Sequence, residues 1–271
     1  MRRPSSRELP PPLPPEERTV GQVVAETIRI YGDKFWPSLA LGLGLATLDA
    51  VVVPLPELAQ FAVAAGVGEV LMTASFIGAS VLVSGAKPTR RDVWKGFLCG
   101  FLVWPPAALL PLAFAFFGNI YVALIGFALP SLAWLALVGL SVPVAVIERT
   151  GVQRALGRAI ELARVDYMHV LGSLTTLVFV YFLTREMLFF LLRGSARNEA
   201  YVAAFLADAV ISPMLFLGSA LLYMDQTARL DKVRQATERS TDADLHPVDD
   251  ADGPGGADAE VEPRPAARSE P

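Results

Sequence analysis

A single cysteine, Cys99, stands in 271 residues, so neither an intramolecular disulfide nor a thiolate metal cluster can be built within the chain. Histidine is almost as scarce. His169 is expected at the start of an apolar segment and His246 in a polar tail, which leaves no metal-binding or catalytic pair of imidazoles. No GxSxG, HExxH, Walker A or dinucleotide fingerprint occurs, so no nucleophile, base or metal constellation marks an enzyme. Charge is thin as well: 18% of residues are charged, against about 25% in a soluble globular chain. From Phe97 to Ile147 there is none. A cleaved leader is not expected, because Pro10 to Pro15 and Glu16-Glu17-Arg18 separate the basic start from any apolar run.

What is abundant is apolar surface, with 53% hydrophobic residues and a mean hydropathy of +0.45. Crossing the hydrocarbon layer takes about 20 apolar residues. Six segments qualify: Trp36 to Leu55, Leu58 to Val83, Phe97 to Phe117, Ile120 to Ile147, His169 to Leu192 and Ala200 to Met224. Short turns pair them as three hairpins. The expected fold is therefore all-α, a polytopic helical membrane protein whose partner is the lipid bilayer. No cofactor, metal or nucleic acid is expected.

Basic residues resist translocation and gather in cytoplasmic loops. Outside the segments, 18 Lys and Arg fall on one side and only Arg193 and Arg197 on the other, which predicts both termini in the cytoplasm. Residues 1–18 read as a Pro-rich disordered tail, 19–230 as the membrane domain and 231–271 as an acidic disordered tail. Residues 240–271 hold nine acids against two bases, a composition with too little apolar surface to fold.

Each hairpin follows a Thr with an acid or amide three residues on: Thr19 and Gln22, Thr89 and Asp92, Thr150 and Gln153. This pattern resembles a capping box. Helical spacing of Val20, Val23, Val24, Thr27, Ile28 and Tyr31, and of Val152, Ala155, Leu156, Ala159, Ile160 and Ala163, predicts two amphipathic helices along the membrane face. Prolines inside the segments (Pro105, Pro106, Pro111, Pro130, Pro143 and Pro213) predict kinks, which occur in transporters and in other membrane proteins alike. Gly96 and Gly100 have the spacing that lets helices approach closely, and packing within the bundle is the expected use.

Five ionisable residues fall inside the apolar segments: Asp49, Glu69, Arg185, Glu186 and Asp208. Each costs about 2.5 to 3.5 kcal/mol at a helix centre, so they are expected to face the bundle and pair. At about 1.5 Å per residue, Asp49 and Arg185 lie about 10 Å from the outer end, Asp208 about 12 Å and Glu69 about 17 Å. The expected pair is Arg185 with Asp208, with Asp49 or Glu69 as second partner. Such a cluster serves either as a structural ion pair or as a solute or proton site.

Three stretches, Val142-Pro143-Val144-Ala145-Val146-Ile147-Glu148, Ala155-Leu156-Gly157-Arg158 and Leu221-Leu222-Tyr223-Met224-Asp225, with the opening Thr19-Val20-Gly21-Gln22 and Tyr31-Gly32-Asp33-Lys34-Phe35, carry a family likeness. The chain resembles the bacterial membrane domain associated with glycerophosphoryl diester phosphodiesterases, over roughly residues 19 to 230. The resemblance implies a place in the bacterial inner membrane and marks Pro143, Glu148, Arg158, Tyr223 and Asp225 as motif residues. The diesterase domain of that family opens with His-Arg-Gly, and neither His169 nor His246 is followed by Arg-Gly, so the likeness is to the stand-alone form. The family tends to have Ser after the Arg of its Ala-Leu-x-Arg motif, where Ala159 stands here. Two functional classes follow: a non-enzymatic membrane module that organises lipids or partner proteins, and a transporter or channel for a small solute.

Overall fold

In a computed structural model, residues 14–52, 55–115, 120–192 and 197–245 are described. The described residues are almost wholly helical. After a 3₁₀ turn at Pro15–Glu17 come α1 (Val20–Asp33), α2 (Phe35–Val52), α3 (Glu57–Val63), a π-helical turn (Ala64–Gly68), α4 (Glu69–Ser84) and α5 (Arg90–Ala115). They are followed by α6 (Ile120–Val138), α7 (Ser141–Ile147), α8 (Val152–Val165), α9 (Tyr167–Leu192) and α10 (Arg197–Leu245).

Five stretches among the described residues are long and apolar enough to cross a membrane: Phe35–Val52, Gly66–Ser84, Leu129–Ile147, Tyr167–Leu188 and Phe205–Thr241. Six were expected. The missing one, Phe97 to Phe117, lies mostly on α5 but runs past Ala115 into residues outside the description.

Two expected segments are not single helices. The second is divided at the π turn, and the fourth is interrupted at Gly139 and Leu140. Pro143 accounts for that interruption, because it has no N–H to give the Gly139 carbonyl and sits most easily in a helix's first turn. The restart at Ser141 puts it there.

The short α7 is the hub of the fold. Ser141 to Val146 are all buried, packed against α4, α5 and α8. Around it gather Phe76 of α4, Cys99 of α5, Leu162 of α8 and Phe216 of α10. Small residues allow this closeness. Gly96 faces Val146 and Ile77, and Gly100 faces Thr73, so the Gly96/Gly100 pair serves packing inside the chain, as its spacing led one to expect.

Helices continue through Pro130 and Pro213, and two carbonyls orphaned by prolines are met from neighbouring helices. Pro111 leaves Ala107 O without its donor, and Ser131 Oγ of α6 donates to it at 3.0 Å. Pro213 does the same to Ala209 O, which lies so close to Gly42 of α2 that a β-carbon there would overlap it. In hydrocarbon no water is present to take the serine's role.

Residues on the tail side of both expected boundaries are structured. Glu17 and Arg18 belong to the fold, through ion pairs with Lys232 and Asp225. Residues 231–245, expected to be disordered, are helical, because no Gly or Pro interrupts them and most are fair helix formers. The chain divides into two compact units, Met1–Lys232 and Val233–Pro271. The described part of the second is exposed helix, and residues 246–271 lie outside the description.

Candidate functional site

Capping chemistry starts the helices on which the ionic groups stand. Thr19 N–H donates to Gln22 Oε1 at 2.7 Å, opening α1. Both halves of that box are present, and at α5 the box forms likewise: Thr89 N–H donates to Asp92 Oδ2 at 3.1 Å, and Asp92 N–H to Thr89 Oγ1 at 3.4 Å. The third expected box does not form. Gly151 is the cap residue of α8, and Thr150 Oγ1 has no hydrogen-bond partner.

The Thr89 hydroxyl and backbone N–H, helped by Lys95, hold the Asp92 carboxyl down to about 2 from its ordinary 3.8. A depressed carboxyl contributes stability above its unfolded value, and that stability is lost as pH falls toward the folded one. Thermal unfolding of the detergent-solubilised protein is therefore expected to lose part of its stability as pH falls from 3.8 to about 2. Asp92→Asn should show a flatter profile over that window.

Long-range polar contacts gather the basic segments at one end of the bundle. Lys34 Nζ donates to Leu82 O at 2.7 Å, Lys95 Nζ to Arg149 O at 3.1 Å and Arg149 Nη2 to Lys87 O at 3.1 Å. Arg229 pairs with Asp166 at 2.6 Å and donates to Arg18 O at 2.7 Å. The start of α2, the end of α4, the starts of α5 and α9 and residues 225–232 of α10 thus share an end. Arg149 takes φ 56°, a left-handed value uncommon outside glycine; it lets the chain leave α7 and enter α8.

At this end three motif residues from separate stretches of sequence converge. Glu148 Oε1 accepts Tyr223 OH at 3.0 Å and Arg158 Nε at 3.4 Å. Arg158 also pairs with Glu161 at 2.9 Å. Burial works against the guanidinium's charge, but the bonds and charges of Glu161 and Glu148 outweigh it and raise its pKa above the ordinary value. The other two motif residues lie elsewhere: Pro143 in the first turn of α7, and Asp225 against Arg18 at 2.9 Å. A hydrogen bond to a charged group contributes about 1.5 to 3 kcal/mol. Tyr223→Phe is expected to destabilise by that amount, and in a Glu148→Gln background by much less, as measured by a double-mutant cycle of unfolding.

The second cluster lies within the apolar segments. Arg185 Nη2 of α9 pairs with Asp49 of α2, and Nε lies 3.6 Å from Asp208 of α10. The sequence placed Arg185 first with Asp208. Both expected partners are present, and Tyr181 OH, one turn before Arg185, also donates to Asp208 Oδ1 at 2.9 Å. Glu69 is buried at the start of α4, with no ion pair to Arg185 among the described residues. Glu186 is exposed.

Tyr181, Glu161, Asp166 and Arg18 were missed from sequence. Tyr181 was legible in principle, since residues four apart share a helix face; the others depend on contacts across the fold. Among the described residues no group of three His, Cys, Asp or Glu is arranged to hold a metal ion. Comparison with protein-family models, with curated proteins and with solved structures finds no match.

Proposed function

We propose that this chain is a non-enzymatic membrane module of six spans, three hairpins and two amphipathic surface helices. It organises lipids or partner proteins at the inner face of a bacterial cell membrane. The spans are α2, the helix ending in α4, α5, α6 with α7, α9 and α10; α1 and α8 lie along the membrane, and both termini are cytoplasmic.

The observation that carries this reading is the division of labour among charges at the basic end. Those of Glu148, Arg158, Asp166, Arg229, Arg18 and Asp225 are occupied in joining segments to one another. Turned outward are Lys87, Arg90, Arg91, Arg154 and Arg164 with Trp36 and Trp94. Basic side chains interleaved with tryptophan at helix starts suit an anionic headgroup layer. The convergence of Glu148, Arg158 and Tyr223 supports the family resemblance, since three of its separate stretches meet at one carboxylate.

The transporter reading is less well supported. Of the carbonyls that prolines release, which in transporters coordinate ions, Ala107 O is bonded by Ser131, and Ala209 O faces the close approach of Gly42 on α2.

Protein reconstituted in liposomes tests the proposal. Retention of anionic lipid through purification, with no protein-dependent solute flux, is the expected result; flux above empty vesicles would overturn it. Orientation is checked by single cysteines at Gly194 and Gly255 in a Cys99→Ala background. An impermeant reagent on intact cells should label position 194 and spare 255.

A further inference from the structure

Along α9, Phe179, Phe182, Leu183, Glu186 and Met187 are all exposed. Their spacing of three and four residues makes them one continuous stripe. Four of the five suit lipid and the carboxylate does not. No hydrogen bond or ion pair reaches Glu186 from the described residues. At about 1.5 Å per residue it sits about 9 Å inside the end of α9. A carboxylate facing hydrocarbon is costly, so such groups face a protein partner or water.

The next residue along the helix supplies the complement. Arg185 borders the stripe with 33% of its side chain exposed, and its ion pairs within the chain use Nη2 and Nε. Two copies of the chain inserted in the same orientation bring equal depths of α9 side by side, where Glu186 and Arg185 differ by one residue, about 1.5 Å. A two-fold axis requires that if one residue meets another, the reverse contact also forms. An adjacent acid and base satisfy that rule without any further residue.

We infer that α9 is the contact between two copies of this chain, related by a two-fold axis along the membrane normal, with each Glu186 meeting the Arg185 of the partner subunit. Phe179 and Phe182, the apolar members of the stripe nearest that contact, pack between the helices. Asp49 and Asp208 hold each guanidinium in place from behind. The inference deepens the module reading by naming a second copy as the protein partner.

Subunit counting by single-molecule photobleaching, in bilayers of graded protein density, tests it. Dimers are expected, and Glu186→Gln, at an exposed position, should weaken association about tenfold, or about 1.4 kcal/mol. In a Cys99→Ala background, Phe182→Cys, exposed and on the same face as Arg185 and Glu186, should form disulfide-linked dimers on oxidation in membranes. Phe101→Cys, exposed on α5, should not.

Monomers at every density, an unweakened Glu186→Gln dimer, or equal cross-linking at both positions would overturn the inference. So would a monomer that loses a bound amine-bearing lipid on Glu186→Gln, since that result assigns the carboxylate to lipid. Monomers that still retain anionic lipid would sink the pairing and leave the module reading standing, whereas flux from a dimer would do the reverse.

Discussion

Arg185→Ala is expected to lower unfolding stability by about 3 kcal/mol, the low end of the cost of breaking a buried ion pair, since Asp208 is buried while Arg185 and Asp49 are partly exposed. The reason lies in what the substitution leaves behind. Asp208 keeps only 3% of its side chain exposed, and its Oδ2 has no hydrogen-bond partner. Asp49 loses the guanidinium as well, so two carboxylates face each other across the space that the cation occupied. Adding Asp208→Ala removes the worse-placed acid, and the double variant should be no less stable than Arg185→Ala alone. Independent sites would instead add within about 0.3 to 0.5 kcal/mol. Steric-trap or thermal unfolding of the four proteins in one detergent decides between the two, and additivity would show that the cluster does not act as a unit.

Gly42→Ala should cost as much, about 3 kcal/mol, at the upper end for overpacking. A methyl group there would overlap the carbonyl oxygen of Ala209 and come within 2.8 Å of the Pro213 ring. A carbonyl and a proline ring on a buried helix cannot swing aside as a long side chain can. Separating α2 from α10 would also disturb Asp49, seven residues along the same face of α2. Gly157→Ala is the contrast. Nothing lies within 4 Å of a methyl group at Gly157, and in mid-helix the change should stabilise by about 0.5 to 1 kcal/mol through backbone entropy. If both variants unfold alike, the close approach of α2 and α10 is wrong.

Much of the helical framework was legible because its cause is local. Long apolar runs, Thr19 with Gln22, Thr89 with Asp92, and the alanine-rich face of residues 152–163 act over one or two turns. The same reasoning went wrong where a local pattern had a close rival. Thr150 lost the cap of α8 to Gly151, whereas the break expected near Pro143 within the run from Ile120 to Ile147 is there, at Gly139 and Leu140. At the C-terminal end, acidity suggested disorder where helix propensity continues to Leu245.

The sequence by itself determined that this is a helical protein with five or more stretches able to cross a membrane, and which side chains would be costly inside it. Hydrophobicity and helical period are properties of consecutive residues. Only the tertiary structure decided the partners. Glu148 meets Arg158 and Tyr223, Arg185 takes Asp49 and not Glu69 beside the expected Asp208, and Arg18 meets Asp225. These choices depend on which helix faces which at what depth, and glycines and prolines on separate helices, such as Gly42 and Pro213, set that through the distance at which backbones meet.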